Sequence, residues 1–284
     1  MKEGVIFVFV ADLMFRMPLE RGIGQLGYRP VFIEQADDVA AGVSDVPEAP
    51  GELLSGRGAA LFEQLTTTQP VLLIFDLNNP AIPWGDWIAA LKTSPATRRI
   101  PILCFGSHVE AETMQRARAA GADGVVARSR LAAALPELIQ QYARQFDPAG
   151  ISLACNEPLS PLAVKGIEAF NRGDYYLAHE ELELAWKADG GPGRDLYRAI
   201  LQIAVAYYQI ERGNYRGALK MFLRVRQWLA PLPDSCRGVN LGQLKQDANL
   251  VHEALVALGP EQVGEVERGL FRPVSFDPTF RKDH

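Results

Sequence analysis

At 284 residues the chain exceeds one typical module of about 100–200 residues, so two domains are expected. Its 48% hydrophobic and 22% charged residues exclude a disordered tail or an extended coiled coil. The net charge is −5, with −4 on residues 1–150 and −1 on the rest, so neither half has the basic excess of an ordinary nucleic-acid-binding module. The apolar run Val5 to Ala11 is too short to span a bilayer and lacks the flanks of a secretory leader, which predicts a cytoplasmic protein. Cys104, Cys155 and Cys236 are odd in number and far apart in sequence; a disulfide framework is not expected.

In chain order, short runs rich in Val, Ile, Leu and Phe occur at Val5 to Ala11, Pro30 to Ile33, Val71 to Phe75, Ile100 to Phe105 and Gly124 to Ala127. Between and after them lie helix-like stretches at Arg16 to Leu26, Gly58 to Leu65, Trp84 to Thr93, Glu110 to Ala120 and Leu131 to Phe146. Continuous apolar strands alternating with amphipathic helices predict a parallel sheet covered on both faces. The expected fold of residues 1–146 is thus α/β doubly wound (flavodoxin-like), with a five-stranded parallel sheet. In such sheets ligands sit beyond the carboxyl ends of the strands. The loops there carry Asp12, Asp76-Leu77-Asn78-Asn79-Pro80, Gly106-Ser107-His108 and Arg128-Ser129. The first of them has no Gly-rich stretch that would let a backbone approach a pyrophosphate, so no dinucleotide site is expected.

Asp76 followed by Pro80, Gln25-Leu26-Gly27-Tyr28 before the second strand, and Ala119-Ala120-Gly121-Ala122-Asp123-Gly124 before the fifth resemble the receiver domain of bacterial response regulators over residues 4–142, with an insertion at 38–57. The resemblance implies a phosphoacceptor at Asp76, with Asp12, Ser107 and Arg128 as its neighbours. Three departures predict a degenerate site. Receivers hold a divalent ion with an acidic pair after strand one, whereas Val10-Ala11-Asp12-Leu13 offers one carboxylate. The hydroxyl residue expected after strand four is Gly106, with Ser107 one place late, and the Lys-Pro after strand five is Arg128-Ser129. A guanidinium is a permanently charged fork, and Arg128 is expected to pair with Asp76 without any phosphate.

Residues 147–160, with Asp147-Pro148-Ala149-Gly150 and Asn156-Glu157-Pro158, read as a linker. Helical periodicity then predicts an all-α helical-hairpin bundle over 161–270, with helices at Pro161 to Asn171, Tyr175 to Ala188, Arg194 to Arg212, Tyr215 to Leu229, Leu241 to Leu258 and Pro260 to Arg268. Gly173-Asp174-Tyr175-Tyr176-Leu177-Ala178 recurs 40 residues on as Gly213-Asn214-Tyr215-Arg216-Gly217-Ala218. Each copy lets a glycine end one helix while Asp or Asn caps the next. An extended tail, 271–284, spaces out Phe271, Phe276 and Phe280; it either packs on its own domain or offers a strand to a partner.

On the Tyr175 to Ala188 helix, His179 lies in the apolar stripe of Tyr175, Ala178, Leu182, Ala185 and Trp186, with Glu183 one turn along its edge. Arg198 and Gln202 share a face of the next helix and are placed to meet them. His179, Glu180, Glu183, Trp186, Arg198 and Gln202 are therefore expected to form a polar pocket, with Glu183 or Glu180 on Arg198 and with Tyr207 or Tyr208 as walls. A metal is not expected, because His179-Glu180-x-x-Glu183 is at most half a bundle site and no Glu-x-x-His motif exists on another helix to complete it. Gly173-Asp174-Tyr175-Tyr176-Leu177-Ala178-His179-Glu180-Glu181-Leu182-Glu183-Leu184-Ala185-Trp186, then Gln202, Gly213-Asn214 and Gly217-Ala218, resemble the family called domain of unknown function 309 over residues 165–245. That family implies an all-helical fold and no known activity.

The functional expectation is a non-enzymatic cytosolic regulatory or scaffold protein, a degenerate receiver joined to a helical ligand- or protein-binding module. No cofactor is expected, and Mg²⁺ only if Asp76 is phosphorylated. The partner is a protein or a small ligand, with homodimerisation open, and neither nucleic acid nor membrane is expected. One alternative is a true phosphorelay regulator phosphorylated on Asp76. The other is a metal-dependent hydrolase centred on His179, Glu180 and Glu183.

Overall fold

The apolar runs of the first half form five strands: β1 (Val5–Phe9), β2 (Arg29–Ile33), β3 (Leu72–Asp76), β4 (Ile102–Gly106) and β5 (Gly124–Ala127). In the computed structural model, which describes residues 4–40, 56–107 and 110–280, they pair in parallel in the order β2-β1-β3-β4-β5. This is the flavodoxin-like order, with its switch point between β1 and β3. Every residue of β1, β3 and β4 is buried, which is why these three read as unbroken apolar runs, while the edge strand β2 is largely half-exposed. Alternate residues feed two cores. Phe7, Phe9, Leu73 and Phe75 face Leu61, Leu65, Trp87 and Ile88, and Phe9 stacks on Phe75 with ring centroids 4.0 Å apart. Ile6, Val8, Ile74 and Phe105 face Leu19, Ile23, Leu131 and Ile139.

The helices of this unit are α1 (Leu13–Gln25), α2 (Gly56–Thr68), α3 (Trp84–Thr93), α4 (Ala111–Ala119), α5 (Arg128–Ala133) and α6 (Leu135–Tyr142). Two starts differ from expectation and both matter for the site. Asp12 accepts the backbone N–H groups of Met14 and Phe15, so α1 begins right after it and not at Arg16. The single helix expected over 131–146 is two, broken at Ala134, because Pro136 has no N–H to continue the first ladder. Its first segment starts at Arg128, so that residue heads a helix. The 38–57 insertion lies mostly outside the described residues.

The second unit begins after Gln145. The segment expected as a linker holds a helix, α7 (Pro148–Cys155), with Asp147 as N-cap and Pro148 in its first turn. Then come α8 (Pro161–Asn171), α9 (Tyr175–Ala188), α10 (Asp195–Glu211), α11 (Tyr215–Leu229), a short antiparallel hairpin of β6 (Ser235–Cys236) and β7 (Val239–Asn240), and α12 (Leu241–Leu258). Consecutive helices from α8 to α11 pack as hairpins around one core. The repeated turns behave alike: Gly173 and Gly213 take φ of +82° and +70°, while Asp174 and Asn214 cap the next helices on Leu177 and Gly217. The helix expected over 260–268 is instead short 3₁₀ turns at Pro260–Glu265 and Arg268–Leu270, with Gln262 out of helical geometry.

The cysteine expectation is corrected. Cys155 at the end of α7 and Cys236 in β6 form a disulfide, and the odd thiol is Cys104, buried in the sheet. Next to the disulfide, Arg237, 3% exposed, donates to the Ala154 carbonyl (3.0 Å), Asp189 (2.6 Å), the Tyr197 hydroxyl (2.5 Å) and Glu157 (2.8 Å). A buried cation needs such compensation. The tail packs on its own unit up to the last described residue. Phe271 stacks on Tyr207 at 4.3 Å, Phe276 bridges to Val239, and the Phe280 carbonyl accepts from Leu159.

Candidate functional site

Strand register decides which loop residues can meet. Asp76 is the last residue of β3 and lies beside Phe105; Gly106, last of β4, lies beside Ala127, which Arg128 follows. Asp12 stands just past the end of β1, next to β3. Three strand ends thus bring Asp12, Asp76 and Arg128 together across residue separations of 52 and 116. The Arg128 guanidinium donates through one terminal nitrogen to Asp76 Oδ2 (2.5 Å) and through the other to Asp12 Oδ2 (2.9 Å). Its carbon lies 4.9 Å from the Phe15 ring centroid and 5.5 Å from that of Phe105, which holds the fork between aromatic faces.

The two carboxylates sit in different surroundings. Asp76 is 3% exposed, and burial pushes its carboxyl up from the ordinary range although the Asn78 N–H and Arg128 pull the other way. Asp12 is exposed and lies below the ordinary range, chiefly because the Phe15 N–H donates to it, with Arg128 adding to the effect. Ser107 gives its backbone N–H to Asn78 Oδ1 (2.9 Å), and Asn78 Nδ2 reaches Glu110 (2.9 Å), so the rim is tied down by an amide. A β-carbon at Gly106 would stand 3.3 Å from Leu77 Cβ and 3.4 Å from Asn78 Oδ1, tighter than ordinary contact. A side chain there would need Leu77 or Asn78 to give by a few tenths of an ångström. His108 lies outside the described residues. For a divalent cation of the receiver kind, the donor set does not fit. It consists of two carboxylates, each with an oxygen on Arg128 and with further N–H donors on Asp76 Oδ1 and Asp12 Oδ1.

In the helical unit the expected cluster is only partly assembled. Glu183 pairs with Lys187 one turn on at 3.1 Å, and the Tyr176 hydroxyl bonds Glu180, so among the described residues neither carboxylate meets Arg198. Arg198 lies instead between two indoles, 4.6 Å from the Trp186 ring and 3.8 Å from that of Trp228. Gln202, 3% exposed, has a buried carbonyl oxygen with no donor, and the Trp186 indole nitrogen is likewise buried without an acceptor. His179 is half-buried on α9. Tyr207 is no pocket wall: it is buried among Phe170, Tyr175, Phe222 and Phe271, and burial drives its hydroxyl far above the usual range. Tyr208 is half-buried and faces Tyr176. Among the described residues no three His, Cys, Asp or Glu side chains converge as a metal site requires.

Two functional elements escape sequence reading. The Arg237 node gathers partners 40 to 83 positions away from it, and only its Arg-Gly turn is a local signal. The second is a cleft of about 380 Å³ beside the β3–α3 loop, lined by residues of two separate segments, 77–86 and 113–116.

Residues 163–221 match the family described as "Domain of unknown function (DUF309)". An uncharacterised protein of Aquifex aeolicus (strain VF5) is 32% identical over 78 residues, which is 27% of this chain. The chain thereby spans about 23% of the length of that curated relative. Solved structures similar to the chain include the chemotaxis response regulator CheY4 of Vibrio cholerae (15% identity, 49% of this chain and 98% of that one, TM-score 0.37). A response regulator from Burkholderia multivorans is also similar (22% identity, 49% and 94%, TM-score 0.36). A third is a signal receiver domain from Bermanella marisrubri (18% identity, 49% and 98%, TM-score 0.37). The chain thus joins an α/β unit with the flavodoxin-like strand order to a helical unit of which residues 163–221 match the DUF309 model.

Proposed function

We propose that the first unit is a pseudo-receiver, held in one state by Arg128, and that the protein is a non-enzymatic regulatory or scaffold protein whose helical unit binds a protein or small ligand. The observation that carries this reading is the single guanidinium bridging Asp12 and Asp76. Phosphoryl transfer to a carboxylate depends on positioning and charge neutralisation by a divalent ion held by several oxygens. Here the fixed cation already satisfies the two carboxylates that such an ion would need. The reading includes a cytosolic location and action without nucleic acid or membrane; no described helix is long and apolar enough to cross a membrane.

The test is beryllofluoride with Mg²⁺, followed by intrinsic fluorescence and size-exclusion chromatography. The wild-type chain is expected to show no change at millimolar concentrations. A spectral or oligomeric change that Asp76→Asn abolishes would establish a working phosphorelay receiver instead.

A further inference from the structure

The cleft beside the β3–α3 loop is lined by two charged side chains that form no ion pair among the described residues. Asn78, whose amide is satisfied on both sides by Ser107 and Glu110, also lines it. Its apolar wall is Ile82 and the buried indole of Trp84. Arg116 on α4 lies over the Trp84 ring, 5.4 Å from its centroid, and forms no ion pair among the described residues. Thr113, three residues earlier on the same helix, presents its hydroxyl on the same face. Asp86 in the first turn of α3 also lines the cleft and forms no ion pair among the described residues. A cation and an anion that share one cleft without meeting each other leave the space between them for a molecule carrying both charges. The volume lies within the range of small-ligand sites, roughly 300–1,000 Å³.

We infer that this cleft binds a small zwitterion of the α-amino-acid class with an apolar side chain. The carboxylate meets Arg116 and Thr113, the ammonium faces Asp86, and the side chain lies against Trp84 and Ile82. An aromatic wall with a few placed polar groups is the usual composition of such a site. A guanidinium stacked on an indole is held in position to receive a carboxylate. The site does not depend on Arg128, so its loss leaves the pseudo-receiver reading intact.

The experiment is calorimetric titration of the full chain with L-phenylalanine and L-leucine, alongside L-phenylalaninamide and N-acetyl-L-phenylalanine. At least one free amino acid is expected to bind with a Kd below about 1 mM, and each blocked form more weakly by about tenfold. Arg116→Ala and Asp86→Asn, both at exposed positions, are each expected to weaken binding by about tenfold. Gly85→Leu supplies an independent occlusion test, since a β-carbon at Gly85 meets no atom within 4 Å; it should abolish binding with an unchanged circular dichroism spectrum. No heat with either amino acid up to about 10 mM overturns the inference, and so does binding that survives Arg116→Ala or Gly85→Leu.

Discussion

At the scale of single residues, Arg128 and Asp76 are linked through burial. Asp76 carries a raised carboxyl pKa despite its cationic neighbour, because desolvation outweighs the Arg128 contact. A carboxyl raised in the folded state contributes stability that is full below its unfolded value near 3.8 and is lost as pH rises through the folded value. Asp76→Asn, an uncharged near-isostere, is therefore expected to gain on the wild type as pH is raised from 3.5 to 7, measured by urea unfolding at each pH. A wild-type chain that gains on Asp76→Asn over that window would show that the Arg128 contact prevails. Arg128→Ala removes the counter-charge from a buried carboxylate. With Arg128 itself 34% exposed and partly screened, the expected cost is about 1–2 kcal/mol at neutral pH. Asp76, Asp12 and Arg128 were legible as residues because the receiver spacing marks them. The Asp12 contact was not, since it depends on where α1 and α5 begin: Asp12 caps the first, while the second starts at Arg128 with no side-chain cap to mark it.

At the scale of elements, the helical hairpins were readable because their turns are local. Gly173 with Asp174 and Gly213 with Asn214 each carry their own stop and start signal within two residues. Gly173→Ala places a side chain at φ +82° and is expected to destabilise the second unit by about 1 kcal/mol, read from denaturant midpoints. The reverse holds for α7. Asp147-Pro148 suits both a turn and a helix start, and what holds the helix lies far away in sequence: Cys236 and Arg237. Arg237→Met strips four partners from their donor and leaves the half-buried Asp189 without its cation. An expected loss of about 3 kcal/mol, with amide exchange accelerated first in Pro148–Cys155, would mark the node as the anchor of that helix.

At the scale of the whole molecule, the chain carries three separate cores, two on the faces of the sheet and one in the bundle. The disulfide closes a loop with a sequence separation of 81, all within the second unit. Removing a cross-link over a loop that long is worth at most about 4.5 kcal/mol of chain entropy. Calorimetry is thus expected to show two transitions, of which a reductant lowers only one; a reductant that lowers both would show that the units unfold together.

By itself the sequence determined the alternation of buried strands and covering helices, the change to an all-helical second half, and the identity of the acidic residues at the sheet's edge. These follow from periodicity, apolar run length and turn chemistry, which act over a few neighbouring residues. Only the tertiary structure decided that one guanidinium serves both Asp12 and Asp76, that Arg198 lies between two indoles while Glu183 turns to Lys187, that Cys155 finds Cys236, and that Arg116 and Asp86 face one cleft. The physical reason is range: a buried charge or thiol takes whichever partner the packed fold brings within a few ångströms, and that partner lies tens of residues away with no local trace.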